Sequence, residues 1–118
     1  MRGKAMNDKT SLGLEENVEA ALSYVGIFVT GIIVLALEKE SEFVRFHALQ
    51  STITFLGLII LGAIFSVIPI IGWIFNTIIT VVAVIAWILG IIKAYQGEKF
   101  KFPIAGDLAE SWLPKVNI

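Results

Sequence analysis

The chain has 118 residues, 57% of them hydrophobic and 16% charged, with nine Lys+Arg against ten Asp+Glu for a formal net charge of −1. Soluble domains carry about 25% charge and 45–50% apolar residues, so this balance belongs to lipid, in one domain at most. Near-neutrality leaves no basic field for nucleic acid, and the absence of cysteine excludes disulfides, thiolate chemistry and Cys-ligated zinc.

Residues 1–10 are polar and are expected to form a flexible N-terminal tail, ahead of one membrane domain over 11–113 and a short tail over 114–118. The first apolar run, Ala20 to Leu37, is about 18 residues without a charge, near the lower limit for a span. Glu15, Glu16 and Glu19 precede it, where exposed amides and the helix dipole favour negative charge. A cleaved signal peptide would carry a basic flank and a shorter core, so a retained helix over 18–37 is expected. The charged stretch Glu38-Lys39-Glu40-Ser41-Glu42 ends it.

From Phe46 to Ile92 there is no Asp, Glu, Lys or Arg. A straight helix over those positions would run ~70 Å against ~30 Å of hydrocarbon, so it must fold back. Pro69 and Gly72 mark the turn, leaving spans over 48–68 and 72–92. The expected fold is all-α: an integral membrane helical bundle with three transmembrane helices, 18–37 plus the hairpin 48–68/72–92.

Three crossings put the N-terminus and the Pro69 turn on one side, and segments 38–47 and 93–113 on the other. The second side holds Lys39, Arg45, Lys93, Lys99, Lys101 and Lys115, which favours a cytoplasmic (inner) membrane protein with its N-terminus out and C-terminus in. Trp73 stands by the uncharged turn, while Phe43, Phe46, Tyr95, Phe100 and Phe102 crowd the basic side as interfacial aromatics do. Asp107 to Leu113 reads either as a short interfacial helix anchored by Trp112 or as a frayed tail.

Small residues recur four apart at Gly26/Thr30, Gly62/Ser66 and Ala86/Gly90. They suit helix contacts within one chain, with homo-oligomerisation or a membrane-protein partner as the alternative. His47, Gln50, Ser51 and Thr54 share one helical face. That stripe reads as a hydrophilic vestibule open to the basic side, or as side chains bonding across helices. Asn76 and Thr80 lie at the far end of the hairpin. A lone histidine lacks the further ligands that zinc or copper requires and has no nucleophile at a catalytic spacing. No catalytic, metal or cofactor site is expected, and no enzyme. Arg45, between Phe43 and Phe46, either snorkels to headgroups or clamps carbonyls at the third span's C-terminus or Asp107.

The segment from Glu38 to Ser51, with its run Phe43-Val44-Arg45-Phe46-His47-Ala48, resembles the signature of a family of small prokaryotic membrane proteins of unknown function. Thr10 to Val18, Lys93 to Glu98 and Pro103 to Ala109 match the same family. That family is grouped with the import translocon component of the chloroplast inner envelope, part of the Tic complex. The resemblance implies a multi-pass membrane protein whose recurrent positions are Phe43, Arg45, Phe46, His47, Gln50, Tyr95, Gln96, Gly97, Pro103, Gly106 and Asp107. Two functions are expected from this: a small transport or translocation component using the His47–Thr54 stripe, or a non-conducting scaffold that docks a partner on its basic side.

Overall fold

The computed structural model describes residues 10–116, so residues 1–9 of the expected N-terminal tail and the last two residues of the chain lie outside it. Five α-helices follow one another: α1 (Glu16–Val25), α2 (Ile27–Leu37), α3 (Glu42–Phe65), α4 (Ile71–Tyr95) and α5 (Ala105–Trp112), with a 3-10 turn at Leu113–Lys115. No strand occurs among the described residues. Two helices, α3 with 24 residues and α4 with 25, are long and apolar enough to cross a bilayer.

The hairpin turn forms where Pro69 and Gly72 require it. Gly72 N–H bonds to the carbonyls of Ile68 and Pro69, and Ile70 takes φ 42°. A Cβ at Gly72 would lie 2.0 Å from the Phe65 carbonyl oxygen, so only glycine fits this close return. Phe65 and Phe75 stack across the turn at 4.6 Å. At its other end α3 starts six residues earlier than expected. Ser41 accepts from Val44 N–H at 3.1 Å and caps it, which places Phe43, Arg45, Phe46 and His47 on the helix.

The expected helix over 18–37 is not a span. It breaks at Gly26, and Ile27 takes φ 60°, a left-handed conformation rare for a β-branched residue. Helices α1 and α2 then run back along each other. A Cβ on Gly31 would lie 3.3 Å from the Ser23 carbonyl, and Glu16 at the start of α1 reaches Ser41 just after α2. The tip of this short hairpin meets α3 at Ser51 and α4 at Trp87. Ser51 is nine residues into α3, so the tip lies about 14 Å along a helix of about 36 Å. Two helices long and apolar enough to span, with a hairpin that reaches less than half their length, therefore replace the three expected spans.

This tip is tolerable in hydrocarbon because its freed backbone groups find partners. Ser51 Oγ donates to Ile27 O at 2.9 Å and Trp87 Nε1 donates to Val25 O at 3.1 Å. Gly26 N–H donates to Thr30 Oγ1 at 2.9 Å, which assigns the Gly26/Thr30 pair to a turn rather than to packing between helices.

The termini follow from the same correction. Ser11 N–H donates to Glu38, Asn17 Nδ2 donates to the Tyr95 carbonyl, and Arg45 Nη2 reaches the Val116 carbonyl. The described beginning and end of the chain thus meet at one end of the α3–α4 pair, not at opposite ends as three crossings would require. Thr10, expected in a flexible tail, is buried and bonds to Glu19 and to the backbone of Gly13 and Leu14.

The core sits in the half of the molecule that the short hairpin covers, around Ala20, Tyr24, Phe43, Phe46, Ala48 and Phe102. Phe43, Phe46 and Phe102 are therefore core residues, whereas Trp73 (72% exposed) and Tyr95 (58%) stay on the surface. Almost none of α4 is buried; its Ile78, Val81, Val82, Ile85, Ile88 and Ile92 face outward. An aliphatic surface of that extent suits acyl chains, not water.

Candidate functional site

The recurrent residues converge where α1, α3 and the segment after α4 meet. Tyr24, His47 and Gln50 are fully buried there. Gln50 lies three residues after His47 on α3, so both point to one side, and Tyr24 enters from α1. Tyr24 Oη donates to His47 Nδ1 at 2.6 Å and accepts from Gln50 Nε2 at 2.7 Å. The other Gln50 N–H goes to the Phe100 carbonyl at 3.0 Å, and Gln50 Oε1 accepts from Phe102 N–H at 2.8 Å. His47 Nε2 lies 2.9 Å from the Glu98 carbonyl. A carbonyl only accepts, so Nε2 carries the proton and Nδ1 is the acceptor. Each donor and acceptor in this set is matched, and the imidazole is neutral in one tautomer.

Aromatic rings close the cluster off. Phe43, Phe46 and Tyr24 stand edge-on to the His47 ring at 4.8, 5.3 and 5.4 Å. Gly90 of α4 lies flat beneath Tyr24, where a Cβ would come within 2.5 Å of the ring. The stripe expected from His47 to Thr54 therefore divides among separate tasks. His47 and Gln50 pin residues 98–102, Ser51 pins the hairpin tip, and Thr54 Oγ1 is buried without a partner among the described residues. Thr54 borders an apolar groove of about 620 Å³ between α3, α4 and α5.

The remaining recurrent positions shape the segment that the cluster holds. Gln96 ends α4, bonding back to the Ile92 carbonyl, and Gly97 turns the chain at φ 81°. Tyr95 offers its carbonyl to Asn17. Pro103 precedes α5, whose Gly106 packs so closely on Lys101 and Gln50 Oε1 that a Cβ would meet them at 2.4 and 2.8 Å. Helix α5 buries Ala105, Gly106 and Ala109 against the bundle and leaves Trp112 half-exposed, which selects the helix over the frayed tail.

Arg45 clamps carbonyls, at the end of α2 and not at the C-terminus of α4 as expected. Nη1 donates to Leu35 O at 2.8 Å and to Glu38 O at 2.5 Å, meeting the unpaired carbonyls at the end of α2. Asp107 instead pairs with Lys101 at 3.0 Å, so the expected Arg45–Asp107 contact is absent although the two segments do pack together. Lys99 and Lys101 both reach Glu110, at 2.7 and 3.0 Å, and hold its carboxyl down at about 2. Lys99 also lies over the Phe46 ring at 5.0 Å. These groups border a polar cavity of about 420 Å³ that includes Lys39, Glu42 and Arg45.

Tyr24 is the residue that the sequence pattern did not reveal. It places one polar atom inside an apolar run, and a buried phenol needs a partner for it. That requirement is the signal that would have found it.

Residues 15–109 match the family model described as the magnetosome magnetite crystal formation protein family. The chain is 51% identical over 102 residues to a UPF0132 membrane protein of Methanocaldococcus jannaschii, covering 86% of this chain and 73% of that one. It is 52% identical over 104 residues to a second such protein of the same organism, covering 88% and 94%. A UPF0132 membrane protein of Archaeoglobus fulgidus is 52% identical over 97 residues, covering 82% and 94%. No solved structure matches the chain. These matches lend no support to a Tic relationship.

Proposed function

The chain belongs to the magnetosome magnetite crystal formation protein family, alongside the small UPF0132 membrane proteins of archaea, and we propose that it is a non-conducting membrane scaffold. Its water-side face, built from residues 38–47, 93–104 and α5, docks a protein partner. One observation carries this reading: of the polar stripe that would line a path, His47 and Gln50 are buried and bonded to Tyr24 and to the 98–102 backbone and Ser51 is bonded to the Ile27 carbonyl, which leaves the single hydroxyl of Thr54 without a partner among the described residues. A conducting vestibule needs polar groups left over for water or substrate. The proposed role is not catalytic.

Reconstitution tests this reading. Liposomes carrying the protein should release potassium and a small trapped dye at the rate of empty liposomes, and His47→Ala should leave that rate unchanged. Faster release by the wild type, reduced in His47→Ala or Gln50→Ala, would select a transport component instead.

The charged end is proposed to face the cytoplasm. Lys39, Arg45, Lys93, Lys99, Lys101 and Lys115 all sit there, whereas the Ser66–Gly72 turn carries no charge. Because the chain has no cysteine, single-cysteine variants report topology cleanly. In whole cells a membrane-impermeant maleimide should label Val67→Cys and spare Ser111→Cys. The reverse pattern would invert the orientation.

A further inference from the structure

At the mouth of the α1–α2 hairpin two carboxyl groups meet without a cation between them among the described residues. Glu19 and Glu38 are both fully buried. Glu38 accepts from Ser11 N–H, Ser11 Oγ, Glu40 N–H and Ser41 N–H at 2.8 to 3.3 Å. Glu19 Oε1 accepts from Thr10 Oγ1 and Glu38 from the adjacent Ser11, which brings the two carboxyls together, while Glu19 Oε2 has no partner among the described residues. Two ionised carboxylates cannot share a buried site at tolerable cost, and one bound proton turns their repulsion into a hydrogen bond.

We propose that Glu19 and Glu38 hold one proton between them, forming a proton-binding site that fastens α1 to the α2–α3 link when occupied and loosens it when empty. Glu19 is the proton's owner, with Oε2 donating to the Glu38 carboxylate.

The surroundings agree from each packed element. On α1 itself Glu16 adds a second negative charge near Glu19, and it bonds to Ser41 Oγ at 2.5 Å. The segment before α1 contributes Thr10, a donor already committed to Oε1. On α3, His47 is neutral and tied to Tyr24, and Arg45 directs Nη1 to the Leu35 and Glu38 carbonyl oxygens rather than to either carboxylate. On α4, Lys93 pairs with Glu98. Burial, with Glu38 and Glu16 adding to it, pushes Glu19 up to about 7, against the Thr10 bond. Burial alone would raise Glu38, but the bonds from Glu19, Ser41, Glu40 and Ser11 hold it below the ordinary carboxyl range. The two groups thus move apart, as partners sharing a proton do.

The sign follows. A carboxyl with a raised folded value stabilises the fold fully below its ordinary 4.5, less as pH climbs, and no longer above about 7. For a single proton the folding equilibrium constant falls at most about tenfold per pH unit across that window.

Infrared difference spectroscopy on the full chain in lipid vesicles reads the proton directly. The wild type should show a protonated-carboxyl C=O band at about pH 6 that is gone by about pH 9. Glu19→Gln, which supplies a permanent N–H donor to Glu38, should lack the band, remain folded and lose the fall in melting temperature between those two pH values. Absence of the band in the wild type, or its survival in Glu19→Gln, would overturn the assignment. So would full recovery of the high-pH wild type by sodium or calcium chloride, which would make the ligand a metal cation.

Discussion

Gln50→Leu should detach residues 98–102 from the bundle and cost about 3 kcal/mol, the effect of stranding several buried polar groups. The amide of Gln50 serves three partners: Tyr24 Oη, the Phe100 carbonyl and the Phe102 N–H. Leucine fills a similar volume, so cavity formation adds little and the loss reports hydrogen bonding. Polar contacts between membrane helices average only about 0.6 kcal/mol, because unfolded helices find other partners. Two of these three partners are loop backbone groups, which find no substitute in a sealed site. The larger figure therefore applies. Thermal unfolding in detergent measures the cost, and trypsin measures the detachment, since Lys99 and Lys101 lie within the released segment. Tyr24→Phe removes one hydroxyl from the same cluster and should cost about half as much. Unchanged melting and cleavage in Gln50→Leu would show that the cluster holds nothing.

Gly90→Ala should be nearly as damaging. The added Cβ would lie 2.5 to 2.9 Å from three atoms of the Tyr24 ring. An exposed tyrosine would swing aside, but this one is held at its far end by His47 and Gln50. The alternatives are to displace α1 from α4 or to break the cluster, and overpacking of this kind costs about 1–3 kcal/mol. Gly57→Ala is the control, because nothing stands within 4 Å of a Cβ there, and helix propensity should make it neutral or slightly stabilising. Equal melting temperatures for the two variants would contradict the packing described.

The contrast between these glycines shows what a sequence reader can and cannot see. Pro69 and Gly72 announce the α3–α4 turn because proline and glycine act locally. Gly26 looks no different from Gly57 in its flanks, and a run of Ile, Phe, Val and Leu on both sides argues for continuing the helix. The break there is imposed by tertiary partners: Ser51 from α3, Trp87 from α4 and Thr30 one turn ahead. Glu16 and Glu19 were legible as the start of a helix, yet their burial depends on Thr10 and Ser41, 9 and 25 positions away. The motif segments from Phe43 to Gln50 and from Tyr95 to Ala109 pack on each other through His47 and Gln50. The partners of Arg45 were not legible, because the carbonyls it meets exist only once α2 ends where it does.

The half-depth hairpin also bears on biogenesis. A chain with three crossings must carry one charged terminus through the bilayer, at a cost of several kcal/mol per ion. Here residues 16–37, about 33 Å of helix, dip in and return, and the bend that reaches the far side, Ser66–Gly72, is uncharged with a single serine. Such a chain can insert as one helical pair, with every ionised group of residues 10–116 staying on the side from which it entered.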